Sequence, residues 1–157
     1  MRPFTAERGV IVLNLEARER SMLELIPALL AGLGAEAGDP AAARLNPPAY
    51  PRDEEAQAEY ARLMEDDLVS ARDHDRDLFD ETLRAGLDSM GIEQAEAWVR
   101  VIGDARLVIA ARSGIAPGDS DWEDRARTEP DLALVAWLGY LQGALIEAIV
   151  GLETTDH

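Results

Sequence analysis

Residues 128–152 read TEPDLALVAWLGYLQGALIEAIVGL, and the placement of their leucines decides the fold class. Leu134, Leu138, Leu141, Leu145, Ile149 and Leu152 recur at steps of three and four, the spacing that stacks side chains on one face of an α-helix. Thr128 and Asp131 form a T-x-x-D pattern, which predicts a capped helix start at Thr128.

Working back from this helix, the same periodicity recurs. Ile92 to Arg112 carries an apolar repeat that Gly114 and Pro117 stop. The connection between the two contains SDWE, a capping-box pattern that predicts a short helical turn from Ser120; Trp122 within it reads as a plug closing the end of a bundle or as an exposed anchor for a partner. A further helix opens at Asp53, a suitable N-cap with acids in its first turn, and runs towards Gly86, unbroken or interrupted near Ser70. Residues 38–52, GDPAAARLNPPAYPR, hold four prolines and predict an ordered loop anchored by Leu45 and Tyr50. Leu15 to Leu33 predicts a helix kinked at Pro27.

Only the N-terminus departs from helical patterning. GVIVLNL, residues 9–15, is rich in β-branched residues and, with RPF before it, predicts a short strand or hairpin over 2–15. A lone strand leaves an unpaired edge that invites a second copy, so a homodimer through this element stands beside a monomer. The expected fold is therefore mainly α: one domain over 1–157, a bundle of four to five helices with a short N-terminal β element.

Composition narrows the function. Thirty-one acidic residues face fifteen arginines and no lysine, a net charge of -16 that repels the phosphate backbone of nucleic acid and favours a basic protein surface as partner. No cysteine is present, which removes disulfides, thiolate ligands and thiol redox chemistry together. The apolar run near the start is too short for a signal-peptide core, and no stretch is read as reaching the about 20 apolar residues a membrane span needs. A cytoplasmic protein is expected, with no membrane contact.

Residues 66–81, DDLVSARDHDRDLFDE, crowd aspartates around His74 and raise the question of a site. A di-iron bundle needs Glu-x-x-His pairs, and Ala71 stands three residues before His74; zinc needs further His or Cys ligands, and the EF-hand spacing is missing. No P-loop, G-x-S-x-G or G-x-G-x-x-G pattern marks a nucleotide, nucleophile or dinucleotide site, so no catalytic residue, metal or cofactor is assigned. The stretch reads first as the wet face of a helix. From Asp53 to Glu96 there are fifteen acids and four arginines, most of the chain's negative charge. One acid breaks the pattern: the rhythm Met64, Leu68, Ala71 lands on Asp75 before Leu78, while Ile92, Ala95, Val99, Ile102 leads to Arg106. Asp75 and Arg106 are expected to pair between helices, with Arg72 or Arg112 as substitute partners, unless a break near Ser70 turns Asp75 into water. Met22 and Met64 read as core.

The order MRPF, GVIVLNL, DPAAARLNPPAYPRD, DLVSARD, WVRVIGDARLVIAARSGI and WLGYLQGALIEAIV resembles the actinobacterial AosR-like family, oxidative-stress regulators formerly described as a domain of unknown function. That resemblance implies a helical cytoplasmic protein that affects transcription by touching a component of the transcription machinery, and here without thiol sensing. The leading expectation is a non-enzymatic regulator acting by protein contact. A small carboxylate-dependent metal enzyme or hydrolase, and an adaptor protein, are the alternatives.

Overall fold

The computed structural model describes residues 2–32, 41, 52–115 and 122–155, with side chains 65–69 set aside. The expected ordered loop over 38–52, with Leu45 and Tyr50, thus lies outside the described residues, apart from Ala41, which is fully buried in the core, and Arg52.

The chain opens with β1 (Phe4–Glu7) and β2 (Val10–Leu13), an antiparallel hairpin. Arg8 and Gly9 both take positive φ, 50° and 83°, the backbone pair that matches a two-residue turn to the twist of its strands. The short α1 (Ala17–Leu23) and α2 (Ile26–Ala31) follow. They correct the single kinked helix: Pro27 sits in the first turn of α2, where its missing N–H is not needed, so the chain breaks before it. Next comes α3 (Glu54–Arg84), 31 residues without a break at Ser70, its first turn capped by Asp53, whose carboxylate accepts the Ala56 N–H at 3.0 Å. Gly86, at φ 63°, turns the chain out of α3.

The two-residue β3 (Ser89–Met90) then pairs with β2, Ile11 opposite Met90. The sheet order β1-β2-β3 corrects the premise of a lone strand: Val10–Leu13 is central and paired on both sides. α4 (Ile92–Arg112) occupies its expected bounds; the Gln94 side chain accepts the Gly91 N–H at 2.9 Å at its start, and Gly114 at φ 79° follows its end. α5 (Trp122–Arg125) is one turn, with Ser120 outside the described residues. Arg125 forks onto Glu129 at 2.7 and 3.2 Å and reaches the Ser113 carbonyl at 3.4 Å, tying the end of α4 to the start of α6 (Pro130–Thr155). This bond to Arg125 holds the Glu129 carboxyl below its ordinary range. α6 begins one residue later than a cap at Thr128 predicts, because the Thr128 hydroxyl donates to the Arg125 carbonyl instead of capping.

α4 is the central helix, packed on α3 on one side and on α6 on the other. Trp98 is fully buried, stacked at a tilt on Phe79 of α3 (centroids 4.8 Å apart) and edge-on to Phe4 of β1 (6.3 Å), so one side chain joins three elements. Leu138, Leu141, Leu145 and Leu152 of α6 close the core from the other side, together with Ile11 and Leu13.

Two expectations on exposure and one on apolar length are corrected. Met64 is 38% exposed and Met22 half-buried; the buried methionine is Met90. Residues 54–64 hold no buried side chain, since α3 is about 46 Å long against about 31 Å for α4 and overhangs it. Finally, α6 is long and apolar enough, by length and composition, to cross a membrane over Pro130–Thr154. Glu147 is the one charge between Leu132 and Leu152, which the reading of the sequence overlooked.

Candidate functional site

The stretch around His74 divides by helix face. Asp73, His74 and Asp77 are exposed, while Asp75 turns inward and is 9% exposed. Its partner is Arg100. The guanidinium donates from Nε to Oδ2 at 2.7 Å and from Nη2 to Oδ1 at 2.8 Å, a bidentate charged pair between α3 and α4. This bond raises the Arg100 pKa above its usual value.

The expected Asp75–Arg106 pair does not form. Arg106 lies six residues beyond Arg100, about 240° around the helix, and so faces α6 while Arg100 faces α3. There its Nη1 donates to Gln142 Oε1 at 2.8 Å, and Gln142 Nε2 donates to the Val99 carbonyl at 2.9 Å. Two glycines make the room: a Cβ on Gly139 would stand 3.1 Å from the Arg106 guanidinium, and one on Gly103 would stand 2.8 Å from Gln142 Nε2. The Arg106 Nε–H is buried with no acceptor among the described residues.

Asp75 and Arg106 nevertheless line one open cleft of about 520 Å³, with Arg72, Arg100, Asp104 and Gln142. Burial pushes the Asp104 carboxyl above its ordinary range, against the pull of the Arg72 and Arg76 charges, with Asp75 adding repulsion. Arg112, the other substitute partner, is exposed at the end of α4, and Trp122 is half-buried against the core at the start of α5.

Chemically this is a polar seam whose carboxylate is already engaged. Asp75 already accepts two bonds from Arg100, and no group of three His, Asp or Glu among the described residues could hold a metal ion. The elevated Asp104 carboxyl is the feature on which acid/base chemistry would have to rest. Sequence reasoning missed Arg100, Asp104, Gln142 and both glycines. The turn between the two helices is only a coarse guide to Arg100: counting equally outward from Gly86 and Gly91 sets Asp75 opposite Ile102, two residues past Arg100.

The family described as Domain of unknown function (DUF2017) matches residues 1–149, nearly the whole chain. The chain belongs to that family. No curated protein and no solved structure matches it. The family description carries no activity, so the seam and the surfaces around it are what bear on function.

Proposed function

We propose that the protein is a non-enzymatic cytoplasmic regulator that works by contact with another protein. One observation supports this above the others. α6 is apolar on all sides, yet only 28% of its most apolar stretch is buried. Its inner leucines fill the core, while Tyr140, Ile146 and Val150 stand 59%, 45% and 50% exposed, with Leu107 of α4 at 44%. A helix apolar all round is ordinarily covered, and an uncovered apolar face of this kind marks a place of association. The resemblance to the AosR-like family directs that association to a component of the transcription machinery. The charge of -16 favours a basic protein surface over nucleic acid.

The test is affinity purification of the full chain from its native cytoplasm at low and moderate salt, beside metal analysis of the purified protein. A stoichiometric partner from the transcription machinery, released by Tyr140→Glu, is the expected result. Stoichiometric metal, or hydrolytic turnover abolished by Asp104→Asn, would overturn the proposal in favour of an enzyme.

A further inference from the structure

A cleft of about 590 Å³ opens where the end of the hairpin and α1 lean against α6. Its apolar wall is Leu15, Met22, Trp137 and Tyr140; the two aromatics lie three residues apart and so share one helix face. On the rim, among the described residues that line the cleft, Glu16 and Glu19 stand against Arg18. Glu19 is held in place, since its carboxylate accepts the Glu16 N–H at 3.0 Å.

Charge selects the occupant. A second copy would bring -16 against -16, and anionic lipid headgroups would be repelled in the same way. A segment carrying Arg or Lys is drawn in by the field of the whole chain, and its cations gain again over the faces of Trp137 and Tyr140 and beside the two carboxylates. The apolar wall rewards a neighbouring Leu, Met or aromatic side chain. We infer that this cleft is the docking site for a basic, amphipathic segment of a partner protein. The inference rests on the protein-contact reading above and gives it a surface.

Random peptides displayed on phage, selected against the full chain, supply the probe; the tightest are synthesised and titrated calorimetrically at low and moderate salt. The expected peptides place Arg or Lys beside Leu, Met or an aromatic residue. Tyr140→Ala should weaken them about tenfold, as truncation of a central aromatic anchor does. Arg18→Glu should tighten binding about threefold by removing an opposing charge from the rim, a gain that damage to the fold would not produce. Leu63→Ser, at an equally bare apolar residue (66% exposed) elsewhere, should change nothing. Neutral or acidic peptides, or basic ones indifferent to Tyr140→Ala, would overturn the cleft while leaving a protein contact elsewhere intact. Self-association, or binding to phosphatidylcholine vesicles, that Tyr140→Ala abolishes would overturn it by naming a different occupant.

Discussion

Arg100 and Arg106 sit on the same helix, six residues apart and on different faces, and are settled in opposite ways. Arg100 is half in water, its side chain 53% exposed, and neutralises a carboxylate that is nearly buried. Arg106 faces a neutral amide in a notch cut by two glycines. The contrast shows that a charge at a helix interface can be accommodated by a counter-charge or by space and a dipole. Which residue is vulnerable differs between the two. In the first pair the buried member is the acid, so the exposed arginine is what protects stability. In the second the amide and the glycines are.

The largest effect expected is therefore at Arg100. Arg100→Ala leaves the Asp75 carboxylate buried and unpaired and should cost about 3 kcal/mol, whereas Asp75→Ala leaves a solvated guanidinium and should cost about 1. Urea melts of both variants and of the double mutant check this; equal losses would break the contrast. Gln142→Leu, which strips the acceptor from Arg106, should cost about 2 kcal/mol by the same measurement. Gly103→Ala sharpens the comparison further. In an ordinary helix it would stabilise by about 1 kcal/mol, but here the new methyl displaces Gln142 from both hydrogen bonds, and a net loss of about 1 is expected.

Asp104→Asn runs the other way and is smaller. Because burial raises the Asp104 pKa in the folded state, the wild-type protein loses stability as pH rises through the window between the ordinary carboxylate value and the raised one. The asparagine variant should melt higher at neutral pH and match the wild type once the pH falls below that window, as thermal melts across the acid range would show. Smallest of all, Asp73→Ala and Asp77→Ala, on the exposed face, should stay within about 0.5 kcal/mol.

Where a signal is local, the sequence was legible. Asp53 caps α3 because the bond is made three residues away, and α4 stops short of Gly114 because the positive φ is a property of that glycine alone. The inward turn of Asp75 followed from the three-four rhythm of its own helix. Its partner did not, because α4 buries two faces, and a single seam traced through Ile102 to Arg106 follows the one towards α6. Thr128 and Pro27 were misplaced for a related reason: each has two acceptable positions near a helix start, and contacts outside the local pattern, such as Arg125 on Glu129, choose between them. The bare outer face of α6 was hidden by its very regularity, since leucines at core spacing drew attention away from Tyr140, Ile146 and Val150 on the other side.

The placement of β2 in the middle of the sheet sets a schedule for synthesis. VIVL is made well before its second partner strand, which begins at Ser89, and its hairpin's aromatic contact waits for Trp98. At roughly 5–20 residues per second, one edge of an apolar, β-prone segment with no proline and no charge must stay unpaired for about 4–16 seconds on every nascent chain. The charges that flank it, Arg8 before and Glu16 after, together with Glu7 at the end of β1, act as gatekeepers during that interval, so that the hairpin's surroundings guard against aggregation before they serve the native fold.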